Sequence, residues 1–142
     1  MMKKDVCDFV RKCEVVYIAT TNLDGVAETR AVLNSFDFKS SNNPEFYFTT
    51  HMDSCKIKQI QKNNKGSLYY FMEQDSLKLF GTFKIIEDKK LKEKLYKPEF
   101  NAYYPKGVND ELYGLIQFIP NKYKYYDASH NVLEGECDCC KK

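Results

Sequence analysis

Apolar positions along the chain follow two rhythms, one recurring every three or four residues and one every second residue. Val6, Phe9, Val10 and Cys13 fall on one helical face, so residues 5–14 predict a short amphipathic helix that Asp5 can cap. Residues 15–20 read as a strand, and Asn22-Leu23-Asp24-Gly25 carries the Asp-Gly signal of a tight turn. Residues 26–34 then return as the second strand of a hairpin. Along it Ala27, Thr29, Ala31 and Leu33 share one face, and Glu28, Arg30, Val32 and Asn34 share the other. A strict count places Phe36 and Phe38 on the Arg30 face, unless a bulge near Ser35 changes the phase.

After a polar loop at 40–44, residues 45–50 are aromatic and β-branched, the composition of a buried strand. Asp53 and Ser54 suit an N-cap, and Ile57 and Ile60 open a helical spacing that should end near Asn63-Asn64-Lys65-Gly66, where left-handed backbone is tolerated. Strands are predicted over 67–72 and 76–86, with a turn at 73–75. In the second, Leu77, Leu79, Gly81, Phe83 and Ile85 form one face, and a glycine inside a strand marks a bend or a close approach. A helix over 88–96 is stopped by Pro98, and Tyr103 to Gly107 form an aromatic turn. Residues 110–119 are mostly apolar, strand after Gly114 but open to helix before it. Beyond Pro120, residues 122–127 alternate lysine and tyrosine as a last strand. Six or seven strands in hairpin order, with short flanking helices, predict a mainly β (α+β) antiparallel barrel. The expected organisation is one domain over 1–133 and a loose, cysteine-rich tail over 134–142.

Composition narrows the function classes. At 142 residues, 43% hydrophobic and 30% charged, the chain suits one folded domain. A net charge of +2, with lysines spread along the chain, does not argue for nucleic acid. No apolar run reaches membrane-spanning length and the first residues lack the apolar core of a signal peptide, so the cytoplasm is the expected compartment. Cys7, Cys13 and Cys55 are scattered while Cys137, Cys139 and Cys140 crowd the end, a placement that suits reduced thiols better than a disulfide scaffold. The three terminal thiols would still need a fourth ligand and a fixed scaffold to hold zinc, so a free tail and no metal site are expected. Neither G-x-G-x-x-G nor G-x-x-x-x-G-K-[ST] occurs, which leaves the dinucleotide fold and the P-loop without support.

Candidate chemistry gathers at the helix start after residue 53. Unpaired backbone N–H groups and the positive end of the helix dipole favour an anion there. The hydroxyls of Thr49, Thr50 and Ser54 and the ammonium of Lys56 would suit a phosphate. The same residues also allow an ordinary cap at Ser54 and a solvated Lys56. Arginine sharpens the choice: of 22 basic residues only Arg11 and Arg30 are arginine. Arg30 stands inside a predicted strand, where its rigid charged fork suits phosphate or a planar ring; the competing reading pairs it with Glu28 on the surface.

Taken in order, Asp24-Gly25 with Thr29-Arg30-Ala31-Val32, Phe48-Thr49-Thr50 followed by Ser54-Cys55-Lys56, Gly81 in its strand, and Pro120 through Tyr125-Tyr126-Asp127 resemble the split-barrel flavoproteins of the pyridoxamine 5′-phosphate oxidase-like superfamily. The general stress protein subgroup is the nearest in kind, and the resemblance runs from about Val6 to Asp127. It implies FMN bound at a homodimer interface, its phosphate held by Arg30 and Lys56 with Ser54 and Thr49 or Thr50 as hydroxyl donors. It also implies that the backbone of Arg30, Ala31 and Val32 runs beside the isoalloxazine ring, and that aromatic residues of a second subunit close the pocket. Tyr126 stands where many relatives carry tryptophan. Authentic pyridoxamine phosphate oxidases grip the substrate phosphate with a C-terminal arginine and histidine, whereas this chain has no arginine after Arg30 and only His130 beyond it. The expectation is an FMN-dependent oxidoreductase of unknown substrate, not an authentic pyridoxamine phosphate oxidase; the alternative is a non-catalytic flavin-binding stress or sensor protein. His51 is expected to be solvated in its turn. A third reading, a nucleic-acid barrel in which Tyr69, Tyr70, Tyr123 and Tyr125 stack on bases, is weaker than placing those rings in the core or interface.

Overall fold

The first hairpin obeys its alternation residue by residue. In this computed structural model, which describes residues 4–34, 45–129 and 131–136, strand β1 (Val15–Thr21) buries Val16, Ile18 and Thr20. It pairs antiparallel with β2 (Ala27–Leu33), where Ala27, Thr29, Ala31 and Leu33 face solvent and Glu28, Arg30 and Val32 turn inward. The Asn22 side-chain oxygen accepts the Asp24 and Val26 backbone N–H groups, each at 2.9 Å, which closes the turn. Helix α1 (Lys4–Lys12) precedes the hairpin and buries Val6, Phe9 and Val10, as their spacing requires.

The remaining strands are β3 (Phe46–His51), β4 (Lys65–Met72), β5 (Asp75–Ile85), β6 (Tyr113–Tyr126) and β7 (Val132–Glu136), with α2 (Cys55–Lys62) after β3 and α3 (Lys89–Leu95) after β5. Among the described residues, seven antiparallel strands make one sheet in the order β2-β1-β4-β5-β6-β3, and β7 lies on β6. β5 occupies one edge of β6, so β3 and β7 share the other, over residues 113–118 and 122–126 respectively. Among the described residues β2 bonds only to β1 and β3 only to β6, and the barrel is split between these two edges. The main core joins α1, α2 and the inner faces of β1, β4, β5 and β6, and a second cluster gathers Tyr47, Phe100, Tyr104, Tyr113 and Leu115.

Several expectations are corrected. β6 begins at Tyr113, after a turn and not a helix at residues 111–112, and runs unbroken through Pro120. Its first half is buried on both faces, which erases the alternation that would have marked it. Proline is tolerated because Phe80 pairs with Lys122 and Gly81 with Pro120, leaving Asn121 as the extra residue of a bulge. Gly81 is the close approach its position suggested: a Cβ there would lie 2.1 Å from the Ile119 carbonyl oxygen. α2 ends near Asn63 as expected, at Lys62, but Asn63 is extended instead of left-handed, and Gly66 already lies inside β4, paired with Gly81 of β5. The tail is not loose from residue 134, since Glu134 to Glu136 belong to β7, held by pairing to β6 and by a Lys124–Glu134 ion pair of 3.0 Å. A five-residue strand with one strongly apolar pair is too short to announce itself.

The base-stacking row is not assembled, because Tyr70 and Tyr123 are buried and the Tyr125 ring packs edge-on against Phe9. No helix among the described residues is long and apolar enough to cross a membrane. The expected features at Ser35, Phe36, Phe38, the 40–44 loop, His130 and the terminal cysteines lie outside the described residues.

Candidate functional site

The split between β2 and β3 opens a cleft of about 690 Å³. Val32 and Leu33 form one wall, residues 48–51 of β3 the other, and Ser54 and Lys56 stand at the start of α2. A short 3₁₀ turn, Pro98–Ala102, and the residues after it bring Phe100, Tyr103 and Tyr104 over the opening.

Hydroxyls and cations collect at the α2 end. Lys56 Nζ donates to Thr50 Oγ1 at 3.1 Å, and Thr50 Oγ1 and Ser54 Oγ share a hydrogen bond of 3.2 Å. Ser54 has the extended backbone of an N-cap but makes no side-chain cap bond, so its hydroxyl serves the cleft instead of the helix. Lys56 is half-buried, and burial first and the Arg30 charge second hold its pKa below the ordinary lysine value. A solvated surface lysine is therefore not what the fold makes of it.

Arg30 reaches inward behind this wall. Its Nη1 donates to Thr20 Oγ1 at 2.7 Å and to the Glu28 backbone oxygen at 3.3 Å, and Nη2 donates to Gln59 Oε1 at 3.3 Å. Among the described residues three of the five guanidinium N–H groups are thus engaged and two are left. Lys56, with one acceptor, likewise keeps two of its three. Among the described residues no carboxylate forms an ion pair with either cation; the Glu28 carboxylate accepts from Gln59 Nε2 at 2.6 Å. The surface pairing of Arg30 with Glu28 is replaced by this inward network. Two neighbouring positive charges, partly buried and with N–H donors to spare among the described residues, have the chemistry that suits an anion. The donor set fits a phosphate.

The anticipated residues do not all meet. Val32, Thr49, Thr50, Ser54 and Lys56 line the cleft, and Arg30 stands just behind it. Ala31 faces solvent on the outer side of β2, so only its backbone is near. The Thr49 hydroxyl is bonded to the Tyr104 phenol, which leaves Thr50 as the partner of Lys56. His51 is exposed, as expected, and also borders the cleft, its ring 5.2 Å from that of Tyr104 and its Nδ1 4.0 Å from Asp53. Thr20, Gln59, Phe100 and Tyr104 were not anticipated. Gln59 left one signal, a polar residue between Ile57 and Ile60 at the buried side of α2.

On the outside of the barrel, Tyr17, Tyr69, Phe71 and Phe80 are 36–57% exposed and line a shallow groove of about 770 Å³ across β1, β4 and β5. Four exposed aromatic rings thus lie together on one outer face of the sheet.

Residues 2–141 match the sequence model described as pyridoxamine 5′-phosphate oxidase like. No curated protein matches the sequence. Among solved structures, a protein of Clostridium acetobutylicum related to general stress protein 26 of Bacillus subtilis superposes with a TM-score of 0.81 at 24% identity, covering 94% of this chain and 93% of that one. A pyridoxamine 5′-phosphate oxidase-related, FMN-binding protein of Nostoc punctiforme gives 0.62 at 11% identity, covering 93% and 89%. A heme-binding protein of Mycobacterium smegmatis gives 0.72 at 8% identity, covering 98% of this chain and 61% of that one. These likenesses agree with the split-barrel fold.

Proposed function

This chain belongs to the pyridoxamine 5′-phosphate oxidase-like family, and from that premise we propose that it binds FMN in the β2–β3 cleft and works as a flavin-dependent oxidoreductase of the cytoplasm. The observation that carries the reading is the pair of cations, Arg30 and Lys56, with free N–H donors beside the Thr50 and Ser54 hydroxyls. A phosphate there relieves the repulsion between the two charges and fills the missing acceptors. The cleft is of cofactor size, and its walls of Val32, Leu33, Phe48 and Phe100 suit a flat ring. The flavin supplies the redox chemistry, and the protein orients it and sets the surrounding field. Arg30 and Lys56 anchor the phosphate end, Ser54 and Thr50 orient it, and the edge backbone of β2 lies beside the ring.

The outer aromatic face fits a second copy of the chain, whose rings would complete the pocket in a homodimer. The reading does not extend to pyridoxamine phosphate as substrate, since the described cleft offers no second arginine beside Arg30 to grip another phosphate. Freshly purified protein should show flavin absorption bands, release FMN on denaturation, be reduced by a nicotinamide cofactor and be reoxidised by an acceptor. Protein that stays colourless and takes up no FMN overturns the reading. Bound flavin that no donor reduces favours the non-catalytic sensor. A second reading, haem, has one observation in its favour, the imidazole of His51 on the cleft wall; an intense Soret band in the same spectrum would select it.

A further inference from the structure

We propose that Gln59 is a neutral spacer that keeps Glu28 from neutralising Arg30, and so preserves the positive charge of the anion site. Glu28 and Arg30 project from the same face of β2, two residues apart, the placement in which opposite charges ordinarily pair. They do not pair. Of Glu28 the guanidinium meets the backbone oxygen, at 3.3 Å, while the carboxylate goes to Gln59 Nε2 at 2.6 Å.

The orientation of the amide follows from its neighbours. Guanidinium only donates and carboxylate only accepts, so Oε1 must face Arg30 and Nε2 must face Glu28. Oε1 also accepts from Thr20 Oγ1 at 2.6 Å, and Thr20 Oγ1 in turn accepts from Arg30 Nη1 at 2.7 Å. Gln59 and Thr20 are 5% and 2% exposed, so water does not substitute for either. One buried amide thereby satisfies both charges without letting them meet. Arg30 keeps its two free N–H groups for a ligand, and Glu28 is kept away from the ligand's negative charge. Gln59 is thus a positioning residue for phosphate recognition, an inference that rests on the FMN reading.

The test uses charge at constant shape, read as the ratio of FMN to riboflavin affinity by flavin fluorescence. Gln59→Glu places a carboxylate against Arg30 and should weaken FMN about ten- to a hundredfold, the scale of one charge-assisted hydrogen bond, with riboflavin changed about twofold or less. The exchange variant Gln59→Glu with Glu28→Gln restores an amide–carboxylate hydrogen bond in the same place. It should recover the melting temperature yet leave FMN weak, because a carboxylate still sits on Arg30. Recovery of FMN affinity in the exchange variant, or parallel loss of riboflavin in Gln59→Glu, would overturn the spacer and make Gln59 a packing residue. If the wild-type protein takes up no FMN, the cofactor reading fails by itself. The spacer is then judged by thermal stabilisation with inorganic phosphate, which should be present in wild type and lost in both variants; its absence from wild type, or its persistence in either variant, overturns the spacer.

Discussion

Replacing Lys56 separates the phosphate from the rest of the flavin. The ammonium has one acceptor, Thr50 Oγ1 at 3.1 Å, and two N–H groups left for a ligand. A hydrogen bond between charged partners contributes about 1.5–3 kcal/mol, so Lys56→Ala should weaken FMN about ten- to a hundredfold. Riboflavin lacks the phosphate and should lose little. A second effect runs the other way. In the free protein the charged lysine is disfavoured by burial and by Arg30, which lowers its pKa below 10.5. The folded state therefore releases this proton before the unfolded chain does. The cost is fully present at neutral pH, where both states are charged, and it is relieved as pH rises from the lowered folded value towards 10.5. Lys56→Met keeps the aliphatic stem without the charge. It should melt at least as high as wild type at neutral pH and lose that alkaline gain. FMN affinity of the wild type should fall as pH climbs through the lowered pKa, and that of Lys56→Met should be flat there. Fluorescence titration of both flavins across pH reads all of this. Equal losses for FMN and riboflavin in Lys56→Ala would refute a phosphate role for the lysine.

Three further expectations follow from the fold. Gly81→Ala forces a methyl against the Ile119 carbonyl, 2.1 Å from its Cβ, and should cost about 1–3 kcal/mol in denaturant unfolding; an unchanged midpoint would mean that the bulge relaxes freely. Tyr17→Asp with Phe71→Asp places charge on the outer groove and should turn a homodimer into monomers with weakened FMN, whereas sedimentation of a wild-type monomer with FMN bound would remove the premise. Deleting residues 137–142 cuts after the end of β7 at Glu136 and should leave the melting temperature and FMN binding nearly unchanged; a large loss of either would make the terminal cysteines structural.

Where a feature depends on neighbours along the chain, the sequence determined it. Val6, Phe9 and Val10 lie on one buried face because helical periodicity is local, and the turn at Asn22 to Gly25 closes on its own side chain. Alternation alone places Arg30 on the half-buried side of β2, and its rarity among 22 basic residues marked it as a site residue. The tertiary structure decided what Arg30 touches. Thr20, Glu28 and Gln59 come from three elements, and they meet because α2 packs against β1, the hairpin partner of β2. Nothing in local periodicity distinguishes a lysine that meets solvent from one tucked beside an arginine, as Lys56 is. The cleft itself exists only because β3 joins the sheet at β6 instead of at β2, its predecessor in the chain. Phe100 of a 3₁₀ turn some fifty residues on from β3, with Tyr103 and Tyr104 just after that turn, then roofs it. Hydrophobic period states which face of an element is apolar, but the partner across that face is chosen by the packing of the whole sheet.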